Sequence, residues 1–280
     1  MYIKCWGSRG SIAVAGNEYN KYGGDTTCIQ VVAQSGEVVI IDAGTGMRKL
    51  GLALPINNSL NYHLLFTHTH WDHISGFPFF KPLQDVKVTL TIHNSQFYTL
   101  SVKDIISNIM ALPFFPITMK EMQAKVIYQD DSSKDFSIGS LNISTIPLSH
   151  PGGGFGYKFV ENGRAFVFLT DNELNYPHPG GKTVNDYKEF CKDADIVFHD
   201  MEFMPDEYQS KKGWGHSSCT DVLDLAIDAN VKQLGLFHIN QERTDDAMDQ
   251  MVKFCQDMVK KQNSKMECFG VAAGMEFNLL

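Results

Sequence analysis

Apolar residues run along this chain in short bursts separated by polar, glycine-rich turns. In the first third the bursts are CIQVVAQ from Cys28, EVVIIDAG from Glu37 and HLLFT from His63, all rich in Val, Ile or Leu. Runs of this length and composition predict β-strands. A helical segment is expected after the polar stretch that begins at Phe66. VKVTLTIH then reads as a strand, and SQFYTLSVKDIISNIMALPFF as a helix from Ser95 that stops before Pro113 and Pro116. The middle returns to strands in KVIYQ, FSIGSLNISTIPLSH, GFGYKFVENG and RAFVFLTD. Asn162-Gly163 between two alternating runs is a strong hairpin signal. The last third alternates helix and strand: TVNDYKEFCKDA, DIVFHD, SSCTDVLDLAIDAN, VKQLGLFHIN and ERTDDAMDQMVKFCQDMVKKQ. Strands meet helices in both halves with no linker-like stretch between them. The pattern therefore predicts one layered α/β domain over residues 1–280.

Composition narrows the partners. An apolar content of 43% is ordinary for a globular core, while the net charge of −8 gives no basic footprint for a nucleic-acid backbone. Large nucleic acids are disfavoured as partners. The opening MYIKCWGSRG lacks the apolar core of a signal peptide, and no run of eighteen apolar residues suggests a membrane span. Cys5, Cys28, Cys191, Cys219, Cys255 and Cys268 are scattered, with no C-x-x-C pair. They read as reduced thiols, and the expected location is cytoplasmic.

The chemistry concentrates in FTHTHWDHISGFPFF, where His68, His70, Asp72 and His73 follow the strand HLLFT. Imidazole nitrogen and carboxylate oxygen are the ligands that zinc or manganese takes in catalytic sites. The spacing is too dense for one tetrahedral ion to use every ligand, so two neighbouring ions are the simpler answer. Three more apolar strands end in competent ligands: His150 after ISTIPLS, Asp171 after AFVFLT and His238 after VKQLGLF. A lone histidine after a strand is usually structural. Three such residues added to H-x-H-x-D-H favour metal.

HTHWDH followed in order by His150, Asp171 and His238 resembles the metallo-β-lactamase superfamily, and the resemblance covers nearly the whole chain. It implies an αββα sandwich with a dinuclear site at one edge of the two sheets. One ion would be held by His68, His70 and His150, the other by Asp72, His73 and His238, with Asp171 bridging. Two divalent cations are implied, zinc first and manganese as the alternative. Asp42 in IIDAGTG would brace the histidine loop from behind. Iron-binding, oxygen-reducing members commonly carry glutamate at the second histidine position. With His70 there, and no flavodoxin-like extension, a hydrolase is the expected class.

FHDMEF from Phe198 and GWGHSSC from Gly213 resemble motifs of the tRNase Z-like, phosphodiesterase branch. There an acidic residue orients a histidine beside the metals, a pairing that suits Asp200 and His216, although Asp200 departs from the usual glutamate. Two cations sharing a hydroxide can attack phosphorus, and the alkoxide that leaves needs a proton. Asp72, His216 and Asp200 are thus the candidate catalytic residues. His199 and Glu202 stay unassigned. GSRGS and YGGDTTC add to the likeness, with Arg9 read as a solvated turn or a phosphate contact.

True tRNA 3′-processing enzymes usually carry a long arm between the positions of His150 and Asp171. Here only twenty residues separate the two, and the sequence pI is about 5.6. The cysteine-rich zinc site of the phosphonate-pathway esterases is also missing. The remaining resemblance is to small cyclic-nucleotide phosphodiesterases, which open a 3′,5′-cyclic phosphate to a 5′-monophosphate and which imply a homodimer. Phe114 or Phe115, in ALPFFPITMKEM, would stack on a base or else pack a helix end in the core. An RNase Z-like RNA 3′-end endonuclease and a carbonyl hydrolase, lactonase or thioesterase, are the alternatives.

Overall fold

The computed structural model describes residues 1–54, 60–94, 96–97, 100–130 and 135–280. Two seven-stranded sheets form its centre. The first runs in the order Glu276–Asn278, Tyr2–Gly7, Cys28–Val32, Val38–Ile41, Leu60–Leu65, Val88–Asn94 and Lys125–Asp130. The second runs Glu267–Gly270, Gln233–Phe237, Ile196–Asp200, Arg164–Leu169, Phe155–Glu161, Leu141–Pro147 and Asp135–Ile138. In each sheet one half is antiparallel and the other parallel. The parallel pairs include Val38–Ile41 with Leu60–Leu65, and Arg164–Leu169 with Ile196–Asp200.

The facing surfaces bury Ile3, Val31, Val39, Leu65, Phe159, Phe166, Phe198 and Phe237 against one another. Helices Val184–Cys191, Cys219–Asp228 and Asp245–Lys261 cover the outer face of the second sheet, closing over Val197, Leu234, Val222, Met251 and Cys255. Helices Gly46–Ala53 and Val102–Ile109 cover the first, over Ile40, Leu64, Leu90, Met47 and Ile106. Strands buried on both faces read as continuous apolar runs, which explains VVII and IVF. The fold is an αββα sandwich. All six cysteines are buried and free. Among the described residues no helix is long and apolar enough to cross a membrane.

Several local readings change. The helix expected from Ser95 begins at Val102, where the Ser101 hydroxyl accepts from the Asp104 N–H at 3.2 Å. A short ribbon, Gln96–Phe97 with Leu100–Ser101, precedes it, and residues Ser95, Tyr98 and Thr99 lie outside the described residues. The helix expected after the histidine motif is one turn, Trp71–Ile74, followed by 3₁₀ turns at Phe77–Phe79 and Lys81–Gln84. FSIGSLNISTIP is two strands that reverse at Gly139, whose φ of 55° a side chain would strain. Helices begin where the sequence offers caps: the hydroxyls of Thr183 and Thr244 accept from the N–H groups of Asp186 and Ala247.

Candidate metal centre

The strands of both sheets deliver their C-terminal ends to one edge. Asp42 follows Ile41, the histidine motif follows Leu65, His150 follows Pro147, Asp171 follows Leu169 and His238 follows Phe237. Asp42, Asp171 and His238 sit at φ of 61°, 51° and 54°, a left-handed backbone unusual for non-glycine residues. Such strain survives where the surroundings over-determine it, commonly at functional sites.

The seven expected ligands make up two of four groupings among the described residues that could hold an ion: His68, His70 and His150 form one; Asp72, His73, Asp171 and His238 form the other. His216 joins Asp200, Glu202 and His238 in a third, and His150 and Asp171 in a fourth. Nδ1 of His70 lies 3.2 Å from Nε2 of His150. Nε2 of His73 lies 3.1 Å from Asp72 Oδ2 and 3.3 Å from Asp171 Oδ1. Nε2 of His238 lies 3.2 Å from both Asp72 Oδ2 and Asp171 Oδ2. Asp171 Oδ2 is also 3.6 Å from His68 Nε2 and 3.8 Å from His150 Nε2, so its carboxylate touches both groups. Ligand atoms held about 2.1 Å from a tetrahedral ion lie about 3.4 Å apart. The separations suit two cations. Nε2 of His68 and Nε2 of His73 are buried without a hydrogen-bond partner among the described residues. Orphaned nitrogens aimed at a shared carboxylate are what a metal would satisfy.

The protonation pattern agrees. Burial pushes the His68 and His70 imidazoles down, and His150 to about 3, leaving their lone pairs free. Burial opposes charge on His73 too, but the Asp72, Asp171 and Asp42 carboxylates reverse it and raise the group. Asp171 and Asp72 likewise raise His238 against its burial. Burial favours protonated Asp72 and Asp171, yet the neighbouring His73 and His238 hold both well below the usual carboxylate range. Bound cations would take the place of those histidine protons.

The supports behind the cluster are equally specific. Asp42 accepts from the Thr67 N–H at 2.7 Å, the Thr67 hydroxyl at 2.7 Å and Nδ1 of His73 at 2.8 Å, which turns Nε2 of His73 inward. Nδ1 of His150 donates to the Gly215 carbonyl at 2.9 Å. The GSRGS turn acts through its backbone. The Ser11 N–H donates to Asp72 at 2.9 Å, and a Cβ on Gly10 would meet the His238 ring at 2.3 Å. Arg9 is buried instead of solvated: its guanidinium donates to the carbonyls of Gly23, Asn240 and Arg243.

His216 stands beside this cluster, its ring centroid 4.7 Å from that of His238 and 5.3 Å from that of His150. Its Nδ1 donates to Asp200 Oδ2 at 2.8 Å, and its Nε2 lies 3.4 Å from Glu202 Oε2. Burial disfavours the imidazolium, but Asp200 and Glu202 outweigh it and raise the group to about 9. Ser218 caps the following helix, accepting from Asp221. His199 is a buried strand residue, donating from Nδ1 to the Asp200 carbonyl at 2.7 Å and facing Asn172, with burial pulling it down to about 4.

Sequence reasoning passed over Glu173. This buried carboxylate accepts from the Tyr208 hydroxyl, the Gly213 and Gly215 N–H groups, each at 2.7 Å, and Nε2 of His178 at 2.8 Å. It thereby fixes the loop that carries His216 and the carbonyl behind His150. Phe115 packs edge-on against Phe79, ring centroids 5.7 Å apart, at the margin of the first sheet's outer core. Phe114 is 69% exposed. No contact joins either ring to the histidine cluster among the described residues. Exposed aromatics nearer to it in sequence are Trp71, inside the motif, and Trp214, whose ring is covered at 4.0 Å by Lys211 Nζ.

Known proteins share this architecture. The Beta-lactamase superfamily domain family matches residues 37–239, well over half of the chain, and the chain belongs to that family. Ribonuclease Z of Lactiplantibacillus plantarum is 24% identical, with 82% of this chain and 86% of that protein covered. Ribonuclease Z of Haloarcula marismortui is 23% identical over 81% and 84%. Among solved structures, the metallo-beta-lactamase fold protein YhfI from Bacillus subtilis superposes at a TM-score of 0.69 and 16% identity, covering 99% and 98%. A diphosphatase from the PhnP family superposes at 0.71 and 15%, covering 100% and 98%, and the short form of human tRNase Z at 0.64 and 17%, covering 100% of both chains. These likenesses carry the fold.

Proposed function

We propose that this protein is a dinuclear metal-dependent phosphodiesterase that hydrolyses small phosphodiesters, above all 3′,5′-cyclic nucleotides, to 5′-monophosphates. His68, His70 and His150 would hold one cation and Asp72, His73 and His238 the other, with Asp171 within reach of both. When bound, such a pair supplies Lewis acidity at the phosphoryl oxygens and an acidified water. Zinc fits the nitrogen-rich ligand set; manganese is the alternative.

The observation that carries the reading is the pairing of His216 with Asp200, at 2.8 Å, beside the ligand cluster. Asp200 accepts from Nδ1 and leaves Nε2 to hold a proton for the departing oxygen, which an alkoxide needs and a thioester's thiolate does not. The imidazolium also steadies negative charge on a phosphoryl oxygen before it gives that proton up. A small substrate is favoured because only the hairpin Phe155–Glu161 and Arg164–Leu169 stands between His150 and Asp171. The net charge of −8 points the same way.

RNA 3′-end cleavage is the second reading, favoured by the relatives named ribonuclease Z. A head-to-head assay separates the two. Zinc-loaded protein is offered a panel of 3′,5′-cyclic mono- and dinucleotides and a precursor tRNA with a 3′ extension. Chelator-sensitive release of 5′-monophosphates or opened dinucleotides supports the first. Precise trimming of the tRNA with an inert cyclic panel replaces it with the second. The homodimer implied by the resemblance belongs to the same reading and is checked by sedimentation equilibrium.

A further inference from the structure

The two groups of ligands are built differently from behind. In the first, His150 is backed by the neutral Gly215 carbonyl at 2.9 Å and His68 faces the Thr67 hydroxyl at 3.2 Å. His70 stands exposed to solvent. In the second, all four side chains are buried, and both histidines have a carboxylate at the nitrogen turned away from the cluster. Nδ1 of His73 donates to Asp42 at 2.8 Å. Nδ1 of His238 lies 3.2 Å from Oε2 of Glu202.

Glu202 lies between His238 and His216. Its Oε1 accepts from Asn240 Nδ2 at 2.6 Å, which aims Oε2 into the site. Both Glu202 Oε2 and His238 Nδ1 are buried, and neither has a hydrogen-bond partner among the described residues, so what joins them is the 3.2 Å approach. The remaining group near Oε2 is Nε2 of His216 at 3.4 Å. A carboxylate at this place fixes the ring with Nε2 toward the ligand cluster and raises the electron density it can donate.

Resting on the two-ion reading above, we propose that Glu202 is a positioning residue for His238 and makes the Asp72–His73–Asp171–His238 side the tighter, first-filled of two unequal metal sites. The physical grounds are charge and burial. That side presents two carboxylates directly and two more behind its histidines, in surroundings that screen their attraction for a dication weakly. The other side offers three neutral imidazoles, one of them in water, and a share of Asp171.

The test is metal uptake by the full chain, followed by calorimetry as apo protein is titrated with zinc ion, and by the absorption spectrum with cobalt(II) ion. Wild-type protein should fill in two phases of unequal affinity. Glu202→Gln preserves volume and should weaken the tight phase by about 10- to 100-fold while the weak phase stays in place. His70→Ala should remove the weak phase and leave the tight one, giving an independent arm should Glu202→Gln fold poorly. A tight phase unchanged in Glu202→Gln would overturn the proposal. So would a His70→Ala protein that loses its tight phase. Wild-type protein taking up fewer than two ions would contradict the dinuclear reading itself, whereas two ions insensitive to Glu202 would overturn this inference alone.

Discussion

Asp200 and His216 form a buried acid–imidazole pair, Oδ2 to Nδ1 at 2.8 Å, at the margin of seven convergent side chains that could hold metal. The pair fixes which nitrogen of His216 is free. In the proposed reaction that nitrogen, Nε2, protonates the leaving oxygen. His216→Ala should therefore retain both metals while kcat falls by roughly a hundredfold or more, the scale of a lost general acid. Metal analysis beside turnover checks it, and wild-type turnover in the variant would remove His216 from the mechanism.

The same pair predicts a pH profile. A raised imidazole pKa, about 9 in the metal-free chain, means that His216 is protonated below that value and loses its proton as pH rises through it. Bound cations pull the group downward, so the alkaline limb of kcat should lie below about 9. Asp200→Asn removes the largest upward influence and should move that limb to lower pH. A limb that does not move would detach Asp200 from the proton transfer.

Metal retention should depend on the carboxylate common to both groups. Asp171→Ala is expected to lower bound metal below two ions per chain and abolish activity, and His68→Ala to do the same through one site. Elemental analysis after gel filtration reads both. Either variant retaining full occupancy and activity would contradict the ligand assignment.

Glu173 predicts a stability effect with a functional echo. Glu173→Ala strands four donors on Tyr208, Gly213, Gly215 and His178. Leaving buried donors unpaired costs about 1–3 kcal/mol each at most, with partial relief by water, so a loss of about 3 kcal/mol is expected. Chemical denaturation measures it. Because the loop carries His216, kcat should fall in parallel.

Phe114 and Phe115 should separate. Phe115→Ala removes packing against Phe79 and should cost about 2 kcal/mol with little change in KM. Phe114 is exposed, so Phe114→Ala should leave stability alone, and a raised KM for nucleotides but not for a base-free phosphodiester would mark it as a base contact. An unchanged KM would move that role toward Trp214 or Trp71.

Much of this was legible because the candidate ligands are announced by strand ends. His68 to His73 are contiguous, and His150, Asp171 and His238 each close an apolar run that could only be a buried strand. The supports were less visible for physical reasons. Glu173 and Glu202 look like surface acids in sequence, since only tertiary structure reveals their donors. The GSRGS turn works through the Ser11 N–H and through the missing Cβ of Gly10, and neither leaves a side-chain signal. Helix Gly46–Ala53 went unread because two glycines weaken its propensity, and its core contacts at Met47 and Leu50 outweigh that cost. The helix read from Ser95 overran its cap, although Ser101 with Asp104 three residues on was a start signal in plain view.

The most direct measurement is hydrolysis by chelator-treated protein, before and after zinc is restored, of bis(p-nitrophenyl) phosphate and of p-nitrophenyl acetate. The phosphodiesterase account predicts p-nitrophenol from the diester only after zinc is restored, with little change in His216→Ala because p-nitrophenolate leaves without a proton. Zinc-dependent cleavage of the acetate with an inert diester, or diester cleavage indifferent to the chelator, would contradict it.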